Sequence, residues 1–280
     1  MTGYQSLPFF DQELAQMLEA TEAATTIAHI EAKARLFPES GATVEDIGDG
    51  VAVFAGAGSP INRVHNLGMR QPVTSGILAS AEAFYAARHA SCPVDLCPLA
   101  DPSLIRALGA RGYTVAAFKH VWLRETGRLA GLPVPAPAIR VEIVPPEEAT
   151  LWAKVVAHSF AGGNPAQTDL EIPLPNAHKS DTTVFLAWLE DQPAGGGALA
   201  LRDGLGICFS TSVRPELRRM GVQTALLHAR LRFAAESGCQ WMMVQTSPGS
   251  PSQRNVERFG FRLVYTKPTM VKHPGGQGAS

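Results

Sequence analysis

Charge of one sign is what this chain lacks. Its 24 lysines and arginines face 25 aspartates and glutamates, a formal net charge of -1. No overall basic field therefore draws it to nucleic acid or to an anionic membrane surface. Cysteine is scarce too, with four in all. Cys92 and Cys97 flank Pro93 in SCPVDLCPLAD without the second pair that a zinc knuckle needs, and Cys208 and Cys239 stand alone. All four are expected to be reduced thiols packed as small hydrophobes, and no metal is expected. No window of about 18 uninterrupted apolar residues occurs. The opening MTGYQSLPFF lacks the basic n-region of a secretory signal. The expectation is a cytoplasmic protein whose partners include neither nucleic acid nor membrane.

What is present describes a globular protein. A hydrophobic fraction of 45% and a charged fraction of 18% suit ordinary packed cores, and 280 residues suggest two domains. The stiff segment Leu132-Pro133-Val134-Pro135-Ala136-Pro137 reads as the linker between them. Before it, residues 7–37 carry a long helical pattern, expected to break at TEAATT, where threonines weaken helix propensity. Strands are expected at 51–54 and 61–67, a helix at 74–89, a short apolar segment at 94–97, a small helix at 103–110 and a strand at 113–123. After the linker come a strand at 139–144, a helix at 147–160, and a loop at 161–181 rich in Gly, Asn and Pro. Three strands follow at 183–189, 194–201 and 206–213, the first two joined by the hairpin turn EDQP. A helix, a strand at 240–246, a short helix from about Ser252 and a last strand at 261–271 complete the pattern.

The halves echo each other. Setting Gly112-Tyr113 on Gly260-Phe261 also sets Lys119 on Lys267 and Arg124 on Lys272, with Pro102-Ser103 and Pro251-Ser252 heading the short helices one residue out of register.

The stretch Ser210 to Leu231, STSVRPELRRMGVQTALLHARL, is the most informative. A strand ends at Val213, and Pro215 stops it because proline cannot donate to a ladder. A basic turn containing Gly221 follows, and then a helix with Thr224 in its first turn. Free N–H groups at a helix start beside two guanidinium groups make a site for phosphate or pyrophosphate.

This run resembles the acyl-CoA pyrophosphate loop of the GNAT N-acetyltransferase superfamily, whose signature Q/R-x-x-G-x-G/A follows a strand ending in V-x-P. Arg218 and Gly221 fill its first two positions, and Gln223 stands where Gly or Ala is usual. The resemblance implies an α/β fold with a mixed sheet, two GNAT-like domains in tandem. Residues 1–131 would be a degenerate copy without the cofactor turn, since HNLGMRQPVTSGIL offers Arg70 but no glycine turn and places Pro72 where N–H donors are wanted. Residues 138–273 would be the acetyltransferase domain, and 274–280 a flexible tail. Acetyl-CoA would be the co-substrate, held by Arg218, Arg219, Met220, Gly221, Val222, Gln223 and Thr224 at its phosphates and by Asn255 further along. Its pantetheine arm would lie along the main chain of Thr211, Ser212 and Val213, where a backbone donor could stabilise the developing oxyanion. The acceptor would be a primary amine of a small molecule.

Proton transfer departs from the family pattern. The strand 207–212 has no carboxylate, and counting back from Gly260 places Val256 at the family's tyrosine and Gly249 at its asparagine. Ser252 is a candidate thiolate donor or a helix cap, Tyr265 a candidate acid or a core aromatic. His158 is a candidate base or a partner of its own helix dipole. The alternative to an enzyme is a CoA-binding sensor or interaction module without turnover.

Overall fold

A computed structural model describes residues 8–161 and 166–272. The tail 274–280 and part of the loop 161–181 lie outside them. In chain order the elements are α1 Gln12–Leu36, β1 Thr43–Ile47, β2 Gly50–Phe54, β3 Arg63–His65, α2 Ser75–Ala86, β4 Cys92–Asp95, α3 Pro102–Ala110 and β5 Thr114–Glu125. Then follow β6 Ile139–Ile143, α4 Ala149–Ala161, α5 Leu174–Ala177, β7 Thr182–Leu189, β8 Gln192–Arg202, β9 Leu205–Val213, α6 Val222–Glu236, β10 Trp241–Thr246, α7 Pro251–Arg258 and β11 Arg262–Lys272.

Helix α1 runs unbroken through the threonines expected to interrupt it. The hydroxyls of Thr21, Thr25 and Thr26 each donate to the carbonyl four residues back, at 2.7 to 3.0 Å. That back-bonding satisfies the hydroxyl without leaving the helix, and burial of Thr21 and Thr25 against the sheet side overrides propensity. Strand β1, absent from the sequence reading, pairs antiparallel with β2 from Thr43–Phe54 to Ile47–Gly50.

The chain forms two compact units, residues 1–120 with 264–280, and residues 121–263. This division departs from the expected 1–131 and 138–273, because part of the last strand of each half belongs to the other unit. Residues 121–125 of β5 serve the second unit, where Trp122 sits in the core with Leu226, Val244 and Val256 and donates its indole N–H to Thr246 at 2.9 Å. Residues 264–272 of β11 serve the first unit, pairing antiparallel with β4 from Thr269–Asp95 to Lys272–Cys92. The LPVPAP segment is no bare linker either, since Leu132 packs into the second unit's core beside Ile139.

Within the first unit the strand order is β1-β2-β3-β4-β11. β1, β2 and β3 are antiparallel neighbours, and β3 runs parallel to β4, with α2 crossing between them. The second unit repeats the scheme. β7, β8 and β9 are antiparallel neighbours, and β9 runs parallel to β10, with α6 crossing between them; β6 is added beyond β7. The internal echo in the sequence is thus a repeat of topology.

The first unit buries an ion network. Lys267 from β11 donates to Glu19 at 2.9 Å and to Glu22 at 2.6 Å, both on α1. Asp95 accepts from Lys119 at 3.0 Å, Arg63 at 3.1 Å and Thr269 at 2.6 Å. Donor atoms of Glu22, His65 and Asp95 fall within 4.8 Å of one another, a spacing that suits a cation. Lys267, Lys119 and Arg63 already neutralise these carboxylates. Burial pushes His65 down to about 4 against the pull of Glu22 and Asp95, so its imidazole is neutral near pH 7.

The second unit has an apolar core on each side of its sheet. Trp152, Val155 and Val156 of α4 cover one face, and Ala225, Leu226 and Leu231 of α6 cover the other. Gly195, Gly196 and Gly197 of β8 allow both helices to approach. A Cβ on Gly196 would meet the Trp152 indole at 2.8 Å, and one on Gly197 the Arg230 guanidinium at 3.0 Å.

Candidate functional site

The site is built where β9 leaves β10. Their parallel register runs from Leu205–Trp241 to Cys208–Val244 and stops there, so the β10-facing edge of residues 209–213 is unpaired by that neighbour. On the other side, β8 and β9 shift register between the pairs Ala198–Phe209 and Gly196–Ser212. Gly197 therefore faces both Ser210 and Thr211, a bulge, with Ser210 at φ 48°. Ser210 accepts from Asn176 of α5 at 3.2 Å. Ser212 is buried, and its hydroxyl finds no hydrogen-bond partner among the described residues.

Beyond Val213 the chain makes a short 3-10 turn at Pro215–Leu217 and reaches Arg219 and Gly221, at φ 67° and 91°. Gly221 is the N-cap of α6, and no side chain caps the helix. Its first-turn N–H groups thus have no side-chain acceptor and carry the positive end of the helix dipole. A Cβ on Gly221 would stand 3.4 Å from Ile139, which is ordinary contact. What requires glycine there is the positive φ. The Arg218 guanidinium turns back to the carbonyls of Val213 and Ser159, at 3.4 Å each, whereas Arg219 and Met220 are exposed. Val222 is buried, and Gln223 and Thr224 are half-buried in the first turn. Asn255 on α7 donates to the side chain of Gln223, so these two expected cofactor residues are brought together.

The catalytic candidates fare differently. Tyr265 lies in the first unit, stacked on Phe10 at 4.6 Å, and donates its hydroxyl to Glu19 at 2.6 Å. Its ring is buried in the first unit. Ser252 does not cap α7, since Ser250 accepts from the Gln253 N–H and Pro251 is the first helical residue. Ser252 is therefore a half-buried first-turn hydroxyl in the second unit. His158, in the last turn of α4, stands 3.7 Å from Glu216 of the basic turn, whose carboxylate also meets Arg214 at 2.5 Å.

Two features escape a sequence reading. Lys179, one of several charges in a loop that reads as wet, is buried, with Nζ 4.7 Å from the Phe209 ring centroid and 3.7 Å from Asp181. Burial, aided by Arg202 and opposed by Asp181, pushes its ammonium down to about 8. The second feature lies in the first unit, in the turn between β3 and α2. There Asp49 accepts from the N–H groups of Gly68 at 2.8 Å, Arg70 at 2.6 Å and Gln71 at 3.3 Å. The turn keeps N–H donors ahead of Pro72, but the chain's own carboxylate holds them. All four cysteines are free and buried. Burial pushes Cys92 up to about 11 and Cys97 up to about 12, away from thiolate chemistry. No helix among the described residues is long and apolar enough to cross a membrane.

Comparison with known proteins agrees with this geometry. Residues 152–261 match the Acetyltransferase (GNAT) family. Among solved structures, a GCN5-related N-acetyltransferase from Kribbella flavida shares 18% identity and a TM-score of 0.64, over 90% of this chain and 97% of that one. A tandem GNAT protein from the clavulanic acid biosynthesis pathway shares 16% identity and a TM-score of 0.63, over 96% of each chain. A GCN5-related N-acetyltransferase from Sphaerobacter thermophilus shares 15% identity and a TM-score of 0.60, over 90% of this chain and 92% of that one. At these identities the likeness is one of fold. No curated protein matches the chain. Residues 152–261, within the second unit, are thus similar to the GNAT acetyltransferase family, and the fold of the chain is that of a tandem GNAT protein.

Proposed function

We propose that the chain is an acyl-CoA-dependent N-acyltransferase that moves acetyl from acetyl-CoA to a primary amine of a small molecule. The observation that carries this reading is the uncapped start of α6 at Gly221, set directly after a parallel strand pair that parts at Cys208–Val244. The helix start supplies N–H donors and dipole for the pyrophosphate, with Arg218 and Arg219 adding charge. The open edge of residues 211–213 offers main-chain groups to the pantetheine as a neighbouring strand would.

In this reading the acceptor nitrogen attacks the thioester carbonyl, the C–S bond breaks, and the amine's proton leaves to a base. The main chain of the bulge is placed to hydrogen-bond the carbonyl oxygen as charge develops on it. His158, held toward the turn by Glu216, is the proton acceptor this site offers. Ser252, beside Asn255 in α7, is the hydroxyl offered to the departing thiolate. The first unit contributes no second cofactor site, because Asp49 already fills its turn.

Calorimetric titration of acetyl-CoA tests the proposal, with binding in the second unit and one molecule per chain expected. Gly221→Val, which forces a β-branched residue to positive φ, should weaken binding by about tenfold or more, the equivalent of about 1.4 kcal/mol. No binding at millimolar acetyl-CoA would end the enzymatic reading.

A second reading is a CoA-binding sensor without turnover. It is favoured by the absence of a carboxylate on residues 207–212 and by the engagement of Tyr265 with Glu19. An amine panel with thiol-release detection separates the two, since turnover above the hydrolysis background excludes the sensor.

A further inference from the structure

Arg230 sits on α6 nine residues beyond Gly221, about 14 Å along the helix axis. It is 1% exposed and makes no ion pair among the described residues. Burying a guanidinium forfeits its hydration, and an apolar side chain would fill the same volume without that penalty. What arginine adds is a rigid planar group of donors: Nε anchors it to its own helix while Nη1 reaches one feature of the sheet. Nη1 donates to Thr211 Oγ1 at 2.8 Å and reaches the carbonyls of Ala198 at 3.3 Å and Phe209 at 3.5 Å, while Nε closes on the Leu226 carbonyl at 3.0 Å. Ala198 and Phe209 form the last β8–β9 pair before the bulge, and Thr211 lies in it. The guanidinium occupies the space that a side chain on Gly197 would need, opposite Ser210 and Thr211. Charge, fork and missing side chain converge on the segment where β9 has also lost its partner β10.

We propose that Arg230 is a positioning residue that fixes the Ser210–Thr211 bulge, so that main-chain groups there meet the acyl end of the thioester. The inference rests on the acyl-CoA reading above. Helix α6 then acts as a spacer: its start holds the phosphate end of the co-substrate, and Arg230 holds the strand that meets the acyl end. The acyl group touches the strand, and Arg230 acts through it.

The test compares acetyl-CoA with CoA by calorimetry on the full chain, in wild type, Arg230→Met, Arg230→Lys and Thr211→Val, with thermal melts alongside. CoA has the phosphates and pantetheine but no acyl carbonyl. Wild type should prefer acetyl-CoA, and Arg230→Met should lose that preference by about threefold to tenfold, the worth of one hydrogen bond, with CoA affinity falling less than acetyl-CoA affinity. Arg230→Lys should behave like Arg230→Met, because a point charge lacks the fork. Thr211→Val removes one acceptor, keeps the buried guanidinium, and should shift the preference in the same direction by less. It also carries the test if Arg230→Met fails to fold. Equal weakening of both ligands, or an unchanged preference in Thr211→Val and Arg230→Lys, overturns the inference and leaves the acyl-CoA reading standing. Wild type that binds both ligands equally overturns it as well. Wild type that binds neither overturns the reading and the inference together.

Discussion

Lys179 allows a prediction with both a sign and a size. Its ammonium is buried over the Phe209 ring, held down to about 8 where a free lysine has 10.5. At 1.36 kcal/mol for each tenfold, keeping that charge in the fold costs about 3 kcal/mol at neutral pH. Methionine keeps the apolar stem and removes the charge. It forfeits a cation–π contact worth about 0.5–2 kcal/mol; the 3.7 Å attraction to Asp181 is already contained in the net cost of about 3 kcal/mol. Asp181 is not stranded, because Arg202 stays at 2.7 Å and Thr182 at 2.9 Å. Lys179→Met should therefore stabilise the protein at pH 7 by about 1–2 kcal/mol. The pH dependence isolates the cause. Below about pH 8 the lysine is protonated in folded and unfolded chains alike, and the penalty is constant. Between about 8 and 10.5 the native state has released a proton that the unfolded chain still holds, so wild-type stability gains with pH while the variant has no such gain. The variant's advantage should shrink by about 2 kcal/mol between pH 7 and pH 9.5. Urea unfolding at both values, followed by far-ultraviolet circular dichroism, measures it. A variant less stable than wild type at pH 7, with a difference that does not change with pH, would refute a desolvated ammonium at this position.

Two further outcomes follow from the architecture. Asp49→Ala leaves three N–H donors without their carboxylate and should lower stability by about 1–3 kcal/mol in urea unfolding. A fragment of residues 138–280 lacks Trp122 and Leu132 from the second unit's core. Removing a buried tryptophan alone costs about 3–5 kcal/mol, a large share of the roughly 5–15 kcal/mol that holds a domain together. That fragment should show no cooperative melt, and residues 121–263 should show one; the reverse result would contradict the division into units.

The elements proposed to bind are more legible than those that pack. The proposed cofactor turn announces itself locally, because Pro215, Gly221 and the hydroxyl of Thr224 each have a steric or hydrogen-bonding reason within a few residues. The repeat was visible for the same reason, in Gly112-Tyr113 and Gly260-Phe261 at matching places in the order of elements. What escaped depends on partners distant in sequence. Threonines 21 and 25 read as helix breakers until their burial is known. Lys179 reads as an ordinary wet loop charge, and nothing in the local sequence marks Asp49 as an acceptor for a turn 19 to 22 residues away. Tyr265 looked available because its partner, Glu19, is 246 residues away. The strands after Gly112 and Gly260 are legible as strands but not as to the unit that holds them, since alternation along a strand says nothing of which neighbour it will pair with.

The placement of β11 also sets a timetable. Glu19 and Lys267 are separated by 248 residues, so at about 5–20 residues per second of synthesis Glu19 leaves the ribosome roughly 12 to 50 seconds before its lysine exists. For that interval the nascent first unit holds two acidic side chains of α1 without the lysine that neutralises them and an edge of β4 without its closing strand. An unpaired edge of this kind is a template for intermolecular pairing. The second unit, continuous from 121 to 263, is complete before the first. The half of the chain made first is the last to be finished, and a stop codon that removes only the final strand would spare the proposed cofactor turn and disable the unit at the opposite end of the gene.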